Sequence, residues 1–309
     1  MNFDLSDDQV ALRDGIRSLA EGRFDSARVR RGFDRSVFDE LSDAGVFSLL
    51  ADGFGWADAA IVFEELGRAA VPGPLVWSFL ALGLTDGGVD GVVDGGGIVG
   101  GVDAGPPILV EHFDVIDTLI VLTSESVRHV ARAELVLEEI EWPLDPLTPV
   151  ARVATLPAGE AIAHNVHDWR CGGAVLTSAF LVGLAQRATE LAVEHATSRE
   201  QFGRAIGSFQ AVKHLCADMA VRTELARVAT HAAAVHLDDP GLGATDRAVA
   251  GAKVLAGEAA IRNGLSSTQV HGGMGFTWEV DVHLLLKRAW VLDTHFGSVD
   301  AHALTLGGG

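Results

Sequence analysis

Cysteine is nearly missing from this chain of 309 residues: Cys171 and Cys216 are the only two. That excludes a disulfide framework and leaves too few thiols for a structural zinc site. Basic residues are also scarce, with 23 Lys+Arg against 42 Asp+Glu and a formal net charge of −19. Nucleic-acid binding needs a basic face to neutralise phosphates, and an anionic membrane surface needs a polybasic segment, so neither partner fits. No apolar run reaches the roughly 18 residues of a transmembrane helix. The opening Met1–Asp8 is acidic and has neither the basic nor the apolar stretch of a secretory signal. There is no Walker P-loop and no G-x-S-x-G elbow. What is present is 48% hydrophobic residues, enough for a sizeable core and incompatible with wholesale disorder. The expectation is a soluble protein of a reducing, cytoplasmic compartment.

Composition divides the chain into three zones. Residues 1–85 read as helical. Ser6-Asp7-Asp8-Gln9 fits a capping box followed by the apolar stripe Val10, Leu12, Ile16 and Leu19. A second helix follows Ser36 and stops at Gly45; a third starts after Asp58 and is ended by Val71-Pro72-Gly73-Pro74. Residues 86–163 are rich in glycine, proline and β-branched side chains. Ile108–Val110, Thr118–Leu122 and Ala133–Ile140 read as short strands of a small β domain. Residues 164–309 return to helix in four long segments. These cover about 169–197, from a Ser208 cap to about His236, from a Thr245 cap to about Ser267, and Val282–Leu292. Short connections between four helices suggest a bundle.

Two short patterns carry little. Gly95–Gly100 formally matches GxGxxG, but Gly105-Pro106-Pro107 follows closely and no helix can start, so it reads as a flexible loop. His164-Asn165-Val166-His167-Asp168 offers possible metal ligands without a third one nearby, and reads as surface or helix-capping polar residues.

Two other segments are richer. Ser198–Gln210 connects two long helices and carries a guanidinium, amides, two phenylalanines and turn glycines. Arginine suits bidentate binding of a phosphate or pyrophosphate, and a phenylalanine beside it can pack on a planar base. Alternatively, the phenylalanines fold onto the bundle. Gln269–Glu279 breaks a helix with three glycines in four positions, which permits close approach of a ligand to backbone N–H groups or makes an ordinary C-cap and turn.

Taken together in this order, the segments resemble the acyl-CoA dehydrogenase family over nearly the whole chain. Asp4–Arg13 looks like its opening helix and Glu64-Glu65-Leu66-Gly67-Arg68 like its third helix. Arg-x-Gln-Phe-Gly at 199–203 with Phe209-Gln210, and Gln-x-x-Gly-Gly at 269–273, look like its two flavin-contacting motifs. The resemblance implies a mainly α, α+β fold: an N-terminal helical domain (1–85), a reduced middle β domain (86–163) and a C-terminal four-helix bundle (164–309). It implies FAD bound between subunits. Arg199 would meet the pyrophosphate, Gln201, Phe202, Phe209 and Gln210 would line the adenosine side, and Gln269, Gly272 and Gly273 would touch the FAD of a neighbouring subunit.

The family's reaction needs a positioned carboxylate to remove a weakly acidic proton beside a thioester. In most members a Glu-Gly-Thr/Ser stretch supplies it. The corresponding stretch here is His295-Phe296-Gly297-Ser298, with Phe296 in the glutamate position. Some members place the base in the first bundle helix, which falls near Gly173 here, and nothing acidic lies between Asp168 and Glu190. The middle zone lacks the family's Glu-Pro-x-Ala-Gly-Ser-type loop and Trp-Ile-Thr-type strand, although Leu144–Pro149 resembles the linker that follows this domain in some members. The expectation is therefore a subunit of a hetero-oligomeric, α2β2 acyl-CoA dehydrogenase of the steroid-degrading kind. It would clamp the adenine–pyrophosphate half of FAD for a paralogous partner and hand electrons to an electron-transfer flavoprotein. Two alternatives remain open: a self-sufficient enzyme whose base is displaced to Glu279 or Asp293, and a scaffold that has lost FAD.

Overall fold

The computed structural model describes residues 5–24, 26–85, 97–105 and 107–308. They form two compact units: Met1–Ser26, Ala60–Val71 and Ala174–Gly309 in one, Ala27–Ala59 and Pro72–Gly173 in the other. The opening Met1–Asp4 and Gly95-Gly96 of the GxGxxG match lie outside the described residues.

The first unit is helical. Helix α1 (Asp7–Arg23) begins with the expected capping box: the Ser6 hydroxyl accepts from the Gln9 N–H while the Gln9 side chain accepts from the Ser6 N–H. Its lower face meets α4 (Trp56–Arg68), where Glu65 is held by Arg17 at 2.9 and 2.6 Å. Helix α6 (Val166–Ser198) is buried without interruption from Cys171 to Ala185. A central helix is apolar on all sides, so it has the length and hydropathy of a membrane span although 89% of its most apolar window is buried within the protein. Gly67 and Gly183 let α4 and α6 touch: a Cβ on Gly67 would lie 2.1 Å from the Phe180 carbonyl oxygen, and one on Gly183 2.1 Å from that of Glu64.

Helices α7 (Gln210–Asp238), α8 (Thr245–His271), α9 (Val282–Leu292) and α10 (Val299–Gly307) complete the unit, with α8 packed against the other three. Among α6, α7 and α8 lies a buried polar knot. The Asn263 amide donates to the Met219 carbonyl at 3.0 Å and to the Thr223 hydroxyl at 2.9 Å, while its oxygen accepts from Arg222. The four expected bundle helices are present, with two corrections to their starts. Ser208 does not cap α7; it lies in a 3-10 turn (Ile206–Ser208), and Phe209 occupies the N-cap position without a side-chain cap. Thr245 is the first residue of α8 and follows a left-handed Ala244 (φ 54°).

The second unit holds α2 (Ser26–Val29), α3 (Arg35–Asp43), the first turn of α4, α5 (Leu75–Gly83) and two small sheets. Its strands are β1 (Val99–Asp103), β2 (Ile108–Glu111), β3 (Thr118–Leu122), β4 (Val127–Ala131), β5 (Leu137–Glu139), β6 (Val150–Val153) and β7 (Glu160–Ala163). One sheet has the order β1-β3-β4-β7 and the other β2-β6-β5; only β1–β3 is parallel. Strand β3 is buried along its full length, as a central strand covered on both faces should be.

Three expectations are corrected here. Ala133–Ile140 is not one strand: it opens in a 3-10 turn (Arg132–Glu134), and β5 covers only its end. Val99 and Gly100 of the GxGxxG match are in strand rather than loop. The strand needs glycine because the Trp77 ring lies on Gly101, where a Cβ would be 2.1 Å away. Helix α5 has no counterpart in the sequence reading: Pro74 ends one helix there but also serves as the N-cap of a nine-residue helix, of which Leu75 and Trp77–Ala81 are buried.

Candidate functional site

In the helical unit, α6 ends at Ser198 and the chain turns through a two-stranded hairpin, β8 (Glu200–Gln201) and β9 (Arg204–Ala205). Its tip, Phe202-Gly203, is left-handed at both residues (φ 53° and 76°). Glycine takes that conformation freely and phenylalanine does not. The strained turn throws the Phe202 ring into solvent, 92% exposed. It stands edge-on to Phe209 at 6.2 Å, and the Arg204 guanidinium covers the other ring 4.1 Å from its centroid. The hairpin is braced to its helix. Ile206 N–H donates to the Arg199 carbonyl at 2.8 Å, and a Cβ on Gly207 would be 2.8 Å from the Ala196 carbonyl oxygen.

Arg199 is exposed and forms no ion pair among the described residues. Gln201 and Gln210 are exposed, with the Gln201 amide donating to the Glu200 carbonyl at 2.7 Å. Gln210 is the first residue of α7.

The second segment begins where α8 stops. Gly272 has φ 62° and donates its N–H to the Gln269 carbonyl, so glycine here is a backbone requirement. A Cβ on Gly272 or Gly273 would meet no atom of the chain within 4 Å, whereas one on Gly275 would be 2.6 Å from the Thr268 carbonyl oxygen. Gly275 is thus explained by packing, and Gly273 is not. Gln269 is exposed beside them. The two segments are tied together by rings: His195, one turn before Arg199, stacks on His271, next to Gly272, with centroids 4.3 Å apart and planes at 24°.

Residues 172–307 match the family model described as acyl-CoA dehydrogenase, C-terminal domain. The chain is 33% identical over 306 residues to the acyl-CoA dehydrogenase IpdE2 of Mycobacterium tuberculosis, covering 92% of this chain and 91% of that protein. Among solved structures it is similar to a steroid ACAD variant, Tcur3481-Tcur3483, with 23% identity, TM-score 0.82 and 97% of each chain covered. It is similar also to the ChsE4-ChsE5 complex from Mycobacterium tuberculosis, with 22% identity, TM-score 0.81 and 100% and 98% covered. Both structures share the fold.

The chain belongs to the acyl-CoA dehydrogenase family. Acyl-CoA dehydrogenases are FAD-dependent oxidoreductases acting on CH–CH bonds. A cation free of protein carboxylates, a solvent-facing ring and glycines that no packing demands are the groups a dinucleotide tail requires. The residues at 199–210 and 269–273 therefore fit that part of FAD.

The positions at which a base was expected differ in their surroundings. Phe296 is buried (4% exposed) in a left-handed turn (φ 53°), and its carbonyl meets His302 Nε2 at 2.9 Å. Gly173 is buried within α6. Glu279 is exposed on the loop after Gly275. Asp293 follows α9; its Oδ1 is buried with no hydrogen-bond partner, and a Cβ on Gly257 would be 2.2 Å from it. Burial pushes the Asp293 carboxyl up, with Lys253 opposing. Lys253 is itself fully buried and donates to the Asp293 and Leu292 carbonyls at 2.7 and 3.4 Å, closing the end of α9.

Arg204 and His195 were not singled out as site residues from sequence. A cation within the aromatic segment was the available signal for Arg204. For His195 it was the spacing of four residues from Arg199, which puts both on one helix face.

Proposed function

We propose that this chain is the non-catalytic subunit of a heteromeric FAD-dependent acyl-CoA dehydrogenase. The observation that carries the reading is the contrast within one unit. Phe296 is turned inward where the family's base belongs, while Arg199 is exposed and uncommitted. A phenylalanine cannot accept a proton, so dehydrogenation beside a thioester requires a carboxylate from elsewhere. In this reading Arg199 holds the FAD pyrophosphate. Gln201, Phe202, Phe209 and Gln210 line the adenosine, and Gln269, Gly272 and Gly273 offer amide and bare backbone to the same dinucleotide tail. The bound flavin supplies hydride acceptance. A paralogous partner in an α2β2 assembly supplies the base and the ring-binding β domain. The ChsE4-ChsE5 complex supports a paired architecture. The similarity to a steroid ACAD supports a steroid-derived acyl-CoA as substrate, and in this reading the electrons pass to an electron-transfer flavoprotein.

One observation favours a second reading, a self-sufficient enzyme using Asp293: its carboxyl is pushed up, as a base for a weak carbon acid should be. Against it, Oδ1 is enclosed at Gly257 and Val299 rather than open to a substrate. The deciding experiment is acyl-CoA dehydrogenation by the lone chain and by the chain co-expressed with its genomic-neighbour paralogue. The subunit reading expects activity only from the pair; full turnover by the lone chain overturns it.

A further inference from the structure

The two segments proposed to face the nucleotide come from the ends of different helices, and within this unit the stacked rings of His195 and His271 bridge them. His195 lies one turn before Arg199, and His271 directly precedes Gly272. The His271 ring is anchored. His271 Nδ1 is 2.8 Å from the Ser267 carbonyl oxygen, which can only accept, so Nδ1 carries the proton. The helix under His195 is braced by the hairpin through the Arg199 carbonyl and by Gly207 against Ala196.

Neutral imidazoles stack favourably through their faces, and a charge on the His195 ring is opposed by its burial and by the nearby Arg199 guanidinium. The charged and titratable groups bearing on His195 are His271 from α8 and Arg199 at the end of its own helix. Burial first, then His271 and Arg199, hold His195 below its ordinary value of 6.5. A helix C-terminus would by itself favour the protonated ring, and here it is outweighed.

We propose that His195 and His271 are positioning residues, a ring strut that sets the spacing of the 199–210 and 269–273 segments and slackens when His195 is protonated. This rests on the reading of those segments as a dinucleotide clamp. The consequence is a grip on the nucleotide that depends on pH without either histidine touching the reacting carbons.

The test measures FAD affinity, by flavin fluorescence, of the full chain co-purified with its partner at pH 7.5 and 5.5. Wild type, His195→Phe, His195→Ala and Arg199→Ala are compared. Wild type is expected to bind FAD more weakly at pH 5.5 than at pH 7.5. His195→Phe keeps a ring without a charge, so it should lose most of the pH dependence. His195→Ala should bind more weakly at both. A wild-type pH profile in His195→Phe, unchanged affinity in His195→Ala, or tighter wild-type binding in acid would overturn the strut. Arg199→Ala with wild-type affinity would instead overturn the clamp. Thermal melting of the full chain without added FAD gives a second readout if His195→Ala fails to fold. A histidine depressed on folding makes the protein less stable as pH falls through 6.5, so the melting temperature should drop from pH 7.5 to 5.5, and drop less in His195→Phe. An equal drop in both overturns the strut.

Discussion

At position 296 a side chain that cannot take a proton is packed inside the helical unit, and at position 199 a guanidinium stands in solvent without a carboxylate. Those two residues carry the proposed separation of binding from chemistry. If Arg199 contacts a pyrophosphate, Arg199→Ala should cost roughly 1.5–3 kcal/mol, a tenfold to hundredfold loss of FAD affinity in a fluorescence titration. The melting temperature of the FAD-free chain should not change, because Arg199 makes no ion pair among the described residues. Asp293→Asn should leave the rate of an active preparation unchanged, since its free oxygen faces Gly257; a collapse in rate would identify Asp293 as the base. Lys253 tests the packing around it. Burial lowers its pKa from 10.5 to about 8, with Asp293 pulling the other way. The folded chain thus binds this proton less tightly than the unfolded one, and stability should rise with pH between about 8 and 10.5. Melting curves at the two ends of that window should show the rise in wild type and lose it in Lys253→Met. The residues at 199–210 and 269–273 stand out in the sequence because exposed aromatics, amides and glycines are unusual between long helices. The His195–His271 stack could not be read there, since a contact between the ends of two helices leaves no local pattern.

Among elements, α4 explains its own sequence. In Glu64-Glu65-Leu66-Gly67-Arg68 every residue but the leucine meets a different helix or needs its small size, and Leu66 is fully buried. Glu64 accepts from Arg227 at 2.7 Å and approaches His231 at 3.3 Å on α7; burial would raise its carboxyl, and these two partners hold it low instead. Glu65 pairs with Arg17 on α1, and Arg68 with Glu190 on α6 at 2.9 Å. Gly67 lies against the Phe180 carbonyl. Gly67→Ala should therefore destabilise the chain by about 1–3 kcal/mol through overpacking, measurable by urea unfolding, despite alanine's better helix propensity. A neutral or stabilising effect would contradict the close crossing.

Elements with a clean period or cap were legible: the Ser6 box, Thr118–Leu122 and Val282–Leu292 lie where the sequence places them. Those without one were not. Helix α5 is apolar all round, so no amphipathic period marks it. Strand β1 is built on glycines that read as loop until Trp77 is seen lying on them.

At the scale of the molecule, the proposed clamp asks a chain with net charge −19 to hold an anionic dinucleotide through a few local cations such as the exposed Arg199 and Arg204. What the sequence leaves open is whose flavin such a clamp would hold, because a site shared between subunits would be completed by residues of another polypeptide. The most direct measurement is the FAD content per chain of the purified complex with the neighbouring dehydrogenase. A site divided between two subunits predicts one FAD for every two chains, lost on Arg199→Ala in this chain; one FAD per chain, retained in that variant, would contradict the account.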